Sequence, residues 1–188
     1  MLKDKITHII ENEFDNGLFP IEKEYAEKND LLGDKHTIED KKWTYPIIER
    51  CLKETEDVIK EEDASFMEQP ISYFSNHIEE FVYIDSLAFD TIRVDGMAFE
   101  TDDVFHTFTV LFGLKVQKKH GSFLKDYLKD NVGLQTSSAM FSDQDGLWDI
   151  NIPLDALDGF QSDMTLAEAV DLAYRFIFKL LETLEVTN

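Results

Sequence analysis

Two Glu-x-x-Asp pairs, Glu54–Asp57 and Glu168–Asp171, have the spacing that can hold a hard cation. On a helix, residues three apart share one face, and carboxylate oxygens suit Mg²⁺. The spacing alone says little, because 39 acids in 188 residues put roughly eight such pairs in the chain by chance. Asp171 also has Arg175 four residues on, a ready ion-pair partner. Asp143-Gln144-Asp145-Gly146 opens like a calcium loop, but the later Glu is missing and apolar residues follow, which suits a hairpin turn. His77-Ile78-Glu79 begins like the zinc site of a nucleobase deaminase, yet the Pro-Cys-x-x-Cys it needs is absent from a chain whose single cysteine is Cys51. No His-Glu-x-x-His, phosphate-binding Walker loop or Gly-x-Ser-x-Gly occurs. Cys51 falls on an apolar stripe and reads as a small packing residue rather than a nucleophile.

The run Glu168-Ala169-Val170-Asp171-Leu172-Ala173-Tyr174 resembles a helix of the all-α nucleotide pyrophosphohydrolases of the MazG type. That resemblance implies Mg²⁺ held by Glu54, Asp57, Glu168 and Asp171 against a nucleotide's phosphates. It also implies an all-helical fold. Three further stretches, Glu49–Glu56, Gly113–Lys119 and Asp145–Asp149, resemble small acidic proteins of Gram-positive bacteria, some of which carry a branched-chain aminotransferase label. An aminotransferase of that class is a larger two-domain enzyme that holds pyridoxal phosphate through a lysine Schiff base. This chain is shorter and has no glycine-rich phosphate cradle, so the resemblance supplies no mechanism.

Charge is the dominant global feature. The net charge is −21, yet 43% of the residues are apolar and 15 are Phe, enough apolar matter to fold. A surface that acidic repels nucleic-acid phosphate and anionic lipid, and it favours solubility or a basic protein as partner. The acids are densest at Glu49, Glu54, Glu56, Asp57, Glu61 and Glu62, read as lying on or next to one helix, which is the candidate partner-binding surface. The plain alternative is a solvated face. Lys115, Lys118, Lys119, His120, Lys125 and Lys129 form the one basic concentration, which serves as helix-dipole complement or as an anion site at the start of the following helix. One cysteine, no long apolar run and an N-terminus of Met1-Leu2-Lys3-Asp4-Lys5 point to a cytoplasmic protein with no membrane span and no intrinsic cofactor.

These residues need elements to position them. Leu2, Ile6, Ile9, Ile10 and Phe14 predict a helix stopped at Asn16-Gly17, and a short helix follows around 21–28. Helical spacing predicts a helix from Pro46 to about Glu62, with Ile48, Cys51, Leu52, Thr55, Val58 and Ile59 inward, and another near 71–83. The period then becomes two. Asp95-Gly96 reads as the turn of a hairpin over 91–100, and Asp145-Gly146 as the turn of a second whose outgoing strand ends at Pro153. A helix is expected at 102–120 with Gly121 as its stop, then a short one to Asn131. Thr165 and Glu168 form a capping box for a closing helix. The expectation is one α+β domain over 1–188: an antiparallel sheet of about four strands in two hairpins, covered by helices, with helical termini. Its core should hold Ile92, Val94, Met97, Phe99, Phe108, Phe141, Trp148, Ile150, Val170, Ala173 and Ile177. Its function is expected to be non-enzymatic binding, with the Mg²⁺-dependent pyrophosphohydrolase as alternative.

Overall fold

Seven of the described segments are strands, every one with an antiparallel neighbour, and buried side chains alternate with more exposed ones most regularly along Glu80–Asp85 and Leu147–Pro153. The computed structural model describes residues 2–13, 17–33, 38–133 and 137–187. The strands are β1 (Ile47–Leu52), β2 (Val58–Glu61), β3 (Glu80–Asp85), β4 (Val94–Thr101), β5 (Phe108–Leu114), β6 (Ser138–Ser142) and β7 (Leu147–Pro153). They lie in the order β2-β1-β3-β4-β5-β7-β6. The architecture is α+β, but the expectation of about four strands is overturned by this single seven-stranded sheet.

One sheet face is core. Ile84 faces Met97, which faces Phe112 and then Ile150, and the parallel row Val82, Phe99, Val110, Ile152 is fully buried. Helices α1 (Leu2–Asn12), α2 (Pro20–Lys28), α3 (Gly121–Asn131) and α4 (Leu166–Thr187) supply the buried residues packed with it. The apolar stripe of α4 from Leu166 to Leu184 is buried throughout, and its first turn carries the expected capping box: Glu168 Oε2 accepts the Thr165 N–H at 2.7 Å. Glu22, fully buried on α2, accepts hydrogen bonds from the Phe19 N–H (2.8 Å) and the Tyr174 hydroxyl (2.6 Å), which ties α2 to α4. Burial and then the Glu22 carboxylate push the Tyr174 phenol well above its ordinary pKa. All the expected core residues are buried except Phe141, which is partly so. Phe14 and Asn16, expected to close the first helix, lie outside the described residues. Among the described residues no helix is long and apolar enough to cross a membrane.

Four local expectations fail for identifiable reasons. The segment expected as a helix from Pro46 to Glu62 is the β1–β2 hairpin, because β3 offers Ile47–Leu52 a complete ladder of partners from Asp85 to Glu80. An apolar stripe at helical spacing loses to that pairing. The expected helix near 71–83 is a 3-10 turn (Ile71–Ser75) followed by β3, whose Val82 and Ile84 face the core while Phe81 and Tyr83 face away. Asp95-Gly96 is no hairpin turn: it lies inside β4 as a bulge, where two steps along β5 match three along β4. Gly96 is required there because the Tyr83 ring lies across it and leaves no room for a Cβ. Finally, 102–120 is a turn, then β5, then a short 3-10 turn. The Asp102 carboxylate does accept backbone N–H groups, of Val104 (2.9 Å) and Phe105 (2.7 Å), but it closes the β4–β5 connection instead of capping a helix. Gly121 opens α3 rather than ending a helix, and its Cα lies against Trp148, where a Cβ would sit 2.6 Å from Cη2.

Candidate binding face

Among the described residues no helix packs over the second face of the sheet. Successive strand partners form a row across it: Glu61, Glu49, Tyr83, Ala98, Leu111, Asn151, Ser138. Beside this row lie Gly113, Asp149 and Met140, the last 69% exposed. Tyr83, Asp95, Leu111, Met140, Asp149 and Asn151 line a shallow hollow of about 550 Å³. Asn151 Oδ1 is buried there and accepts no hydrogen bond from the described residues.

The electrostatics of this face are one-sided. Its strand positions carry Glu49, Glu61, Asp85, Asp95, Glu100 and Asp149, and no lysine or arginine. Glu49 and Glu61 stand directly opposite each other across β1 and β2, an arrangement that destabilises a ladder. Burial first, then Asp85, Asp95 and Glu49, raise the Tyr83 phenol above its usual pKa. Burial raises the Cys51 thiol too, with Glu49 and Glu56 adding to it, so the cysteine is a packed, unreactive side chain. Glu100 is held above the ordinary carboxylate range by burial, against the pull of Lys53. Among the described residues the cations that reach this face's carboxylates, Lys53 and Lys115, stand at its margins. Lys53 Nζ donates to Thr101 O (2.5 Å) and Asp103 Oδ1 (2.7 Å), and Lys115 Nζ lies 3.8 Å from Asp95.

The six acids predicted to bind a partner are not on a helix, and they separate. Glu49 and Glu61 belong to the open face. Glu54, Glu56 and Asp57 occupy the exposed turn that closes β1–β2. Glu62 turns to the other side and is 8% exposed, between Arg50 Nε (3.3 Å) and Lys60 Nζ (2.6 Å), so it is structural. The alternative Mg²⁺ set is not assembled. Glu54 and Asp57 are on that turn, whereas Glu168 caps α4 and Asp171 pairs with Arg175 Nε at 2.9 Å. Among the described residues no three His, Cys, Asp or Glu side chains converge as metal ligands. Of the basic concentration, Lys118 is paired with Asp143 at 2.6 Å and Lys115 is engaged by Asp95, while burial and then Lys119 lower the His120 pKa. Sequence reasoning missed Tyr83, Leu111, Met140 and Asn151. The period-two pattern of Phe81–Asp85 and Phe108–Leu114 was the signal that could have found the first two.

Comparison of the chain with protein-family models, with curated proteins and with solved structures gives no match.

Proposed function

We propose that this is a cytoplasmic, non-enzymatic binding protein whose open sheet face receives a basic protein. The observation that carries the reading is the composition of that face: six carboxylates spread across it, of which Asp95 and Asp149 line an apolar hollow that also holds an unpartnered amide oxygen, with no cation among its strand positions. Carboxylates at Glu49 and Glu61 suit a lysine or arginine placed between them, and Tyr83, the strand partner of Glu49, offers the aliphatic stem of such a side chain apolar contact, while Leu111 and Met140, farther across the sheet, offer it to other side chains of the same partner. A net charge of −21 speeds encounter with a cationic surface and works against nucleic acid and anionic lipid.

The test begins with a lysine-rich peptide titrated into isotope-labelled protein. Amide shifts centred on Glu49, Glu61, Tyr83 and Asn151, lost as salt rises, are expected. Affinity capture from native lysate should then retain a specific basic protein at low salt, released by Glu49→Lys with Glu61→Lys and to a lesser degree by Glu54→Lys with Asp57→Lys. Diffuse shifts over the whole surface, together with retention that ignores all four reversals, would reduce the charge to a solubility device.

A further inference from the structure

Among the described residues the sheet ends in two edge strands without an outer strand partner, and they are protected to different degrees. A free edge presents unpaired backbone N–H and C=O groups, and proteins guard it with charge, proline, bulges or shortness. At one end β2 has four residues, carries Lys60 and Glu61, and meets β1 through a register shift between Arg50 and Cys51. At the other end β6 reads Ser138-Ala139-Met140-Phe141-Ser142, without a charge or a proline, and it pairs with β7 in unbroken register. Among the described residues no strand covers its outer side. An uncharged, regular edge that exposes a methionine is a template for another strand.

The charge distribution selects the occupant. From Lys115 to Asp149 the chain holds five lysines and five aspartates and no glutamate or arginine, so this sector is neutral and the rest of the chain carries the whole −21. The sector comprises α3, β6, the 143–146 turn and the start of β7. It is therefore the part of the surface that a second copy can approach with least repulsion. The strand is also self-complementary. Turned about a two-fold axis at Met140, Ser138 meets Ser142 of the other copy, Ala139 meets Phe141, and Met140 meets itself, with each sheet face continuing as the same face.

We infer that the protein self-associates through β6, two copies pairing antiparallel about Met140 to make one fourteen-stranded sheet. A five-residue edge buries little area, so the dimer is weak, with a Kd on the order of tens of micromolar. This does not rest on the basic-partner reading, and salt separates the two. Salt screens the repulsion between two acidic bodies and strengthens the dimer, whereas it weakens the attraction of a basic partner.

Sedimentation equilibrium up to about 100 µM, at low and at high salt, tests it. The wild type is expected to dimerise, more so at high salt, and Met140→Lys to raise the Kd at least ~10-fold while keeping the monomer's fold, since it opposes two like charges at an exposed site. Val58→Lys, on the guarded edge, should leave dimerisation unchanged. Amide exchange at 138–142 should slow with protein concentration, and exchange at 58–61 should not. A monomer at every concentration overturns the inference, as does a dimer indifferent to Met140→Lys. Protection of 138–142 only when the lysine-rich peptide is added overturns it too, and gives the edge to the basic partner.

Discussion

The two end hairpins of the sheet are stabilised by opposite means. At the β1–β2 end only Ile48 and Cys51 are buried, and all four residues of β2 are exposed. Charge holds this end: Arg50 reaches Glu62 (3.3 Å) and Glu80 (3.2 Å) and donates to the Tyr73 hydroxyl (2.5 Å), all three acceptors on the sheet's covered side. At the β6–β7 end, Trp148, Ile150, Ile152 and Pro153 are buried, Phe141 packs edge-on against Trp148 at 5.2 Å, and β6 itself is neutral. One end is thus an ionic clasp with its acids left over for a partner, and the other is core that runs out to a bare edge. The same pairing geometry supports both, so the difference lies in which side chains the pairing brings inward.

That contrast can be broken most sharply by truncation. Ile150→Ala should cost about 2–5 kcal/mol in denaturant unfolding, because a 2% exposed side chain leaves a cavity in the core beside its strand partner Phe112, while Val58→Ala at the other end should stay within about 0.5 kcal/mol. Equal losses would mean that the β1–β2 end is as much core as the other. Next in size is Arg50→Met. Removing the guanidinium leaves Glu62 and Glu80, each 10% exposed or less, without their shared cation, and a loss of about 3 kcal/mol is expected, read from the denaturation midpoint. A change below ~1 kcal/mol would show that the clasp is ornamental.

The smallest effect concerns Glu100, beside Lys53 at the same margin as the β1–β2 turn. Its folded-state pKa is raised, chiefly by burial, so its ionisation opposes folding. The opposition is complete above the raised pKa and fades as pH falls through it toward the ordinary carboxylate value. Glu100→Gln should therefore stabilise the protein at neutral pH by under ~1 kcal/mol, with wild type and variant converging in acid. A variant less stable at neutral pH would assign the larger role to the Lys53 contact.

Some parts of this molecule were legible in the residues themselves. The capping box at Thr165 and Glu168, the buried stripe of α4 and the Asp145-Gly146 turn between two alternating arms all depend on neighbours within a few positions, and there the local pattern decides. Apolar identity gave most of the core but not all of it: Leu52, Val58 and Ile59, expected inward on a helix, are exposed on the β1–β2 hairpin. What the local pattern could not decide was the sheet's extent. Ile48, Cys51, Leu52, Thr55, Val58 and Ile59 satisfy a helix as well as a hairpin, and the choice was made by β3, whose backbone groups lie some thirty residues away. Asp95-Gly96 and Gly121 carry genuine glycine signals, but close approach of the Tyr83 and Trp148 rings, and not a turn or a helix end, is what demands them. The binding face belongs to the same class. Glu49 and Glu61 were visible as acids, yet only a seven-strand register sets them opposite each other and in line with Tyr83, Leu111 and Asn151, because adjacency across a sheet is a property of pairing and not of sequence distance.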